Sequence, residues 1–317
     1  MSSPGDNSRP PVEEIDERSV VRGLVAGVLT AIVFGLGGFF LISDRTGAMG
    51  GVLFFLLPFA SGFATALVAR SRNLIIASLL VGVAICSAIL ILKGLEGWVC
   101  VLFSAPLVAF GLTVGAVLGA LIRRDFIEKS GRPNVMSGLL LLMLPLILTG
   151  ANKVEEPARR VPRSETFTSV FVSEASPEKV WDSIKVMDRV SGHKGLLMRI
   201  GLPVPVSCSI DREEVGGIRR CNFEHGYIEE RITEWNPPHS MKLEITSWDV
   251  PGRPWLDFKD ATYELHQENG RTLMTRTTTI VSRLMPAWYW RRFEKIGVET
   301  EHDYLFQALS KKIAGRE

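Results

Sequence analysis

The chain has 317 residues, 46% of them apolar, a mean hydropathy of +0.19 and a formal net charge of +2. Residues 1–152 carry 11 Lys and Arg and 9 Asp and Glu, whereas residues 153–317 carry 25 of each. Two solvents are implied, and the balanced second half excludes an electrostatic nucleic-acid binder. Four cysteines without Cys-x-x-Cys or zinc-ligand spacing exclude a disulfide scaffold and a zinc module.

In chain order, a polar tail (1–19) precedes five apolar segments at about 23–43, 48–69, 73–92, 98–122 and 134–151. Each sits in a run free of Asp, Glu, Lys and Arg that approaches the 20 or so residues a membrane-crossing helix requires. None shows the period-two alternation of barrel strands, so helices are predicted. The fifth has the shortest strongly apolar part, and an interfacial helix is its alternative. The acidic stretch before the first, with no small-x-small site after it, argues for a retained helix rather than a cleaved signal peptide. With the amino terminus inside, nine Lys and Arg flank the inner ends and six the outer ends. Arg9 and Arg45 are among the fifteen, and four of the outer six (Lys153, Arg159, Arg160, Arg163) belong to the approach to the second half. With five spans this bias places the carboxyl-terminal half of a multi-pass membrane protein outside the cytoplasm, and loss of the fifth span would reverse that. The spans hold no ionisable Asp, Glu, Lys, Arg or His, which argues against a pump or ion-coupled transporter. Gly111, Gly115 and Gly119 form a small-residue stripe suited to close helix packing within the chain.

Residues 153–164, with two prolines and mixed charges, read as a polar linker. From 165 to 313 the pattern becomes that of a second domain. A strand at 167–173 is followed by a helix opened by Ser176 as N-cap and Pro177 at its first position. Strands follow at 207–213, 218–224, 227–235, 240–248, 258–266 and 271–283, with Asn269-Gly270 as the strongest hairpin signal. A long helix runs from Pro286 to about Ile313. Antiparallel strands followed by one long helix predict a curved sheet gripping that helix around a cavity.

The segments FVSEASPEKVWDSI, GGIRRCNFEHGYIEERITEWNPPHSMKLEI and NGRTLMTRTTTI, with the final helix, resemble the START-like (SRPBCC) superfamily of polyketide cyclases and lipid-transport proteins. The resemblance covers about 165–313. Its most specific parts are A-x-P-x-x-V-W at Ala175–Trp181 and E-R-I-T-E-W-x-P-P at Glu230–Pro238. It implies an α+β helix-grip domain with a hydrophobic ligand in the cavity. The fold class expected for the whole chain is therefore about five transmembrane helices plus that domain. No cofactor and no oligomeric state are implied; the expected partners are the membrane and a lipid or hydrophobic small molecule.

Alternation along the strands selects the cavity-facing residues. These are Phe223, Ile228, Glu230, Ile232, Leu243, Tyr263, Met274 and Arg276, and a buried charge calls for a partner. Glu230 and Arg276 are expected to approach each other and bind a ligand head group, with a strand bulge or a solvated cavity mouth as the alternative. Carriage of the ligand is the leading reading. The alternatives are a polyketide cyclase or dehydratase using Glu230 or Tyr263, and a non-enzymatic protein-interaction module. No catalytic nucleophile is evident, and His193, His225, His239, His266 and His302 show no metal-ligand spacing. Cys208 and Cys221 both face inward; two buried thiols is the plainer expectation, and a disulfide requires favourable register. Trp288, Tyr289 and Trp290 beside Arg291 and Arg292 suit a membrane interface, or a helix start packed on the sheet edge.

Overall fold

The computed structural model describes residues 17–43, 49–93, 95–250 and 255–315. Most of the polar tail, with Arg9, lies outside the described residues, as does Arg45.

The first half is a bundle of apolar helices. Helix α1 (Glu17–Ile32) continues through a π-helical turn (Val33–Gly37) into α2 (Gly38–Ile42), making one rod of 26 residues. A second π turn (Val52–Leu56) leads into α3 (Leu57–Val68). Helix α4 spans Arg72–Leu92, α5 Trp98–Ile122 with a π turn to Ile127, and α6 Pro133–Arg159. Four of these rods are long and apolar enough to cross a membrane.

One expectation is narrowed and one is corrected. The segment expected to span at 48–69 forms a helix of 17 residues, Val52–Val68. At 1.5 Å per residue it rises about 25 Å, at the short end of the lengths that cross a bilayer core. It sits in the middle of the bundle, with most of α3 buried. The segment expected as a polar linker instead extends α6 to Arg159. Lys, Glu and Ala favour helix there, and the Glu155 carboxylate accepts hydrogen bonds from the Gly51 and Val52 backbone N–H groups. These are orphan donors at a helix start. At the opposite end of α3, the Arg123 guanidinium donates to the carbonyls of Ala66, Ala69 and Arg70.

The glycine stripe lies inside the bundle. A Cβ on Gly111, Gly115 or Gly119 would meet the backbone carbonyl of Phe55, Phe59 or Phe63, and one on Gly62 would meet that of Leu112. Helices α3 and α5 thus approach backbone to backbone, as small-xxx-small sequences allow. Elsewhere α4 lies against α1, where Gly82 faces Ala31 and Gly27 faces Ser78.

The second half is an antiparallel sheet of seven strands in the order β1-β7-β6-β5-β4-β3-β2. The strands are β1 (Arg163–Ser173), β2 (Pro205–Ile210), β3 (Ile218–Phe223), β4 (Tyr227–Asn236), β5 (Ser240–Asp249), β6 (Leu256–Glu268) and β7 (Arg271–Ser282). Register shifts in β2, β4 and β6 bend the sheet, as bulges do. Helices α7 (Pro177–Lys185) and α8 (Leu196–Arg199) lie between β1 and β2, and α9 (Ala287–Ile313) closes the chain. The grip of sheet on helix therefore has the expected order. Ser176 caps α7 by accepting from the Lys179 N–H. Asn269 and Gly270, both at positive φ, make the β6–β7 turn, a conformation Gly and Asn adopt most readily. The two halves of the family-like signature meet in space, with the rings of Trp181 and Trp235 5.0 Å apart.

Cys208 and Cys221 sit opposite each other on β2 and β3 and form a disulfide, not the two thiols expected. The antiparallel register supplies the proximity that the sequence leaves open.

The halves join through main chain and aromatic side chains. The Met49 N–H donates to the Arg283 carbonyl, and the Met285 N–H donates to the Met49 carbonyl. The Phe54 and Trp290 rings are 4.7 Å apart, and those of Phe103 and Phe293 4.5 Å. Tyr289 donates its hydroxyl to the Phe103 carbonyl. The aromatic start of α9 therefore packs on the helix bundle, with Trp288 exposed, rather than on the sheet edge alone.

Candidate functional site

A continuous space of about 650 Å³ runs between the sheet and α9 and on among the helices of the first half, within the usual range for small-molecule sites. Its sheet wall includes Phe223, Ile228, Glu230, Tyr263 and Arg276, and its helix wall Gly297, Val298, Glu301 and Leu305. Five of the eight residues selected by alternation thus border the space. Ile232, Leu243 and Met274 face the same side but are fully buried in a core with Phe171, Val180, Trp181 and Leu309. The amphipathic α7 and the end of α9 fill that part of the groove. Alternation finds the face of a strand, not how far along it the filling reaches.

The cavity is largely apolar; its charged lining residues are Arg219, Glu230, Arg276 and Glu301, with Glu294 and Glu96. Arg219 on β3 donates from Nη1 to Oε2 of Glu230 on β4 at 2.7 Å, and weakly from Nη2 to the Ile184 carbonyl at 3.4 Å. Arg276 on β7 pairs with Glu301 on α9, Nη1 to Oε2 at 2.9 Å and Nη2 to Oε1 at 3.2 Å. The Tyr263 ring lies near both guanidiniums, 5.7 Å from that of Arg219 and 5.4 Å from that of Arg276. Glu230 and Arg276, expected to pair with each other, each have a different partner. Strand register explains the change, since Glu230 stands directly opposite Arg219.

Desolvation works against both cations. For Arg219 the charge of Glu230, with Tyr263, more than offsets it; for Arg276 Glu301 does so first. Both guanidiniums are held protonated. Next to them His302 is wholly buried, its ring nitrogens 2.8 Å from the hydroxyls of Thr278 and Ser169. Burial, and then the Arg276 charge, press its pKa down to about 2, so the ring is neutral.

Arg219, Glu301 and His302 did not figure among the expected site residues. Arg219 was within reach, because it shares the alternating face of Cys221 and Phe223. Glu301 falls four residues after Gly297 and three before Tyr304, on the inward face of α9. His302 gave no signal, since its partners lie on β1 and β7. Chemically the site suits binding: Glu230 is occupied by an arginine and His302 is neutral. Among the described residues no three His, Cys, Asp or Glu converge on a point that could hold a metal.

No known protein-family profile and no curated protein matches the chain. Several solved structures do. Ara h 8.0201 is 13% identical over 48% of this chain and 99% of its own, with a TM-score of 0.32. XoxI from Bacillus cereus is 18% identical over 47% and 95%, with a TM-score of 0.32. The di-domain ARO/CYC BexL of the BE-7585A biosynthetic pathway is 16% identical over 62% and 61%, with a TM-score of 0.33.

Proposed function

We propose that the chain is a multi-pass membrane protein whose carboxyl-terminal domain, residues 165–313, binds a lipid or other hydrophobic small molecule in the sheet–helix cavity. The observation that carries the reading is the cavity itself. A domain serving only as a scaffold gains by filling its interior, because unfilled apolar volume forfeits dispersion contacts. This one keeps the space between its sheet and α9 open, as part of a void of about 650 Å³ that continues into the helix bundle. Carriage is favoured over cyclase chemistry because the carboxylate best placed for acid–base work, Glu230, is held by Arg219.

Two observations support an extracytoplasmic position for the domain. Arg70, Arg72, Arg123, Arg124 and Lys129 cluster at the bundle end away from the Met49 and Tyr289 joints, which agrees with a cytoplasmic location for that end. The Cys208–Cys221 disulfide agrees with an oxidising compartment for the other.

The test is native mass spectrometry of the full chain extracted in mild detergent, with identification of any retained small molecule. A fluorescent single-chain lipid is then titrated into protein stripped of it. Saturable binding that Val298→Trp abolishes is the expected result. Protein that comes out empty and gives no saturable binding would overturn the reading.

A further inference from the structure

The cavity does not stop at the boundary of the second half. Its wall continues from Tyr263 and Arg276, past Trp255 and Phe293, into a cleft between α4 and α5. Leu79, Val83 and Cys86 form one side of this cleft, and Ser104, Val108 and Leu112 the other.

The cleft has a cause in the sequence. Small residues draw α4 onto α1 (Gly82 on Ala31, Gly27 on Ser78) and α5 onto α3 (Gly111, Gly115, Gly119). No comparable pair draws α4 onto α5. Leu80 on α4 and Phe110 on α5 are 69% and 59% exposed, so both helices present apolar side chains outward. An apolar gap of this kind stays dry, and a hydrocarbon chain restores its missing contacts.

The polar end of the space carries a second, independent signal. Arg219 and Arg276 are 2% and 7% exposed, both border the cavity, and the Nε–H of each lacks a hydrogen-bond partner among the described residues. An unmet buried donor is destabilising, and a ligand oxygen would relieve it. The charges around it are already balanced, since Arg219 has Glu230 and Arg276 has Glu301. The remaining acid on this wall, Glu294, is held by Arg163 at 2.9 Å and Ser282 at 2.6 Å. A head group that brought its own charge would be unpaired; a neutral acceptor would not.

We propose that the site takes a neutral, membrane-resident amphiphile. Its hydroxyl or carbonyl oxygen meets the free Nε–H groups of Arg219 and Arg276. Its apolar chain lies between α4 and α5, where it enters sideways from the bilayer. The membrane half is then part of the binding site and its portal. This inference rests on the ligand-binding reading above and adds the route and the chemistry of the head.

The experiment uses the full chain in phosphatidylcholine vesicles and a long-chain fatty alcohol bearing a photoreactive diazirine on its chain. Cross-links are mapped by peptide mass spectrometry. The expected result is saturable labelling on α4 or α5 cleft residues, competed by unlabelled alcohol at least tenfold better than by the corresponding carboxylate at pH 8. Ala109→Trp, whose side chain enters the cleft from the outward face, lowers labelling from vesicles at least tenfold while thermal unfolding in detergent is unchanged. Saturable labelling confined to sheet and α9 peptides would overturn the lateral route and leave ligand binding standing. Carboxylate competing as well as alcohol would overturn the neutral head. Absence of saturable labelling anywhere would overturn this inference and the binding reading together.

Discussion

Arg219 and Glu230 face each other across β3 and β4 at 2.7 Å, both withdrawn from water. Each ion is tolerable only because of the other, since an uncompensated buried charge is strongly destabilising. Glu230→Gln is therefore expected to cost about 3–5 kcal/mol, and the double change Arg219→Met with Glu230→Met to recover most of it. Thermal unfolding of the three proteins, native, single and double variant, in detergent checks this. Equal losses in the single and double variants would show that the pair is not coupled.

His302 makes stability depend on pH. Its folded pKa of about 2 lies below the ordinary 6.5, so the unfolded chain takes up the proton first. The stabilisation is full above pH 6.5 and declines as pH falls from there towards 2. The slope reaches about 1.4 kcal/mol per pH unit. Measured by unfolding between pH 7.5 and 5.5, this group should cost the native protein about 1.4 kcal/mol in all, a loss that His302→Gln should not show. Identical slopes would refute the assignment.

Removal of the disulfide tests the β2–β3 edge. The bond closes a loop of 13 residues, for which a stabilisation of about 3 kcal/mol is typical. Cys208→Ser with Cys221→Ser should lower the unfolding temperature, and reductant should do the same to the native protein but not to the variant.

Gly115→Leu is expected to break the α3–α5 contact, because its side chain meets the Phe59 carbonyl. Gly138→Leu on α6 is the control, with open space around it. Size-exclusion chromatography in detergent should show the first protein aggregated or unfolded and the second unchanged.

Much of the architecture was legible because periodicity reports directly on solvent. The uncharged runs gave the helices, and alternation through Ile228, Glu230 and Ile232 gave the inward face of β4 correctly. What failed needed distances between segments. The partner of Glu230 depends on the β3–β4 register, and so does the Cys208–Cys221 bond. The filling of the groove around Leu243 and Met274 depends on where α7 lands. The helical course of residues 153–159 answers to donors at Gly51 and Val52, about a hundred residues earlier. Local composition contains no trace of that demand.

The backbone bonds of Met49 to Arg283 and Met285 bear on how the protein can be divided. Cutting the chain between α6 and β1 would strip the end of β7 of two main-chain partners. It would also bare Leu284 and Trp290 together, both now nearly sealed from solvent. The freed fragment would carry a raw, sticky flank where its floor had been. What the sequence suggests is a passenger on a leash is closer to a graft, in which one half supplies a surface the other needs to stay soluble.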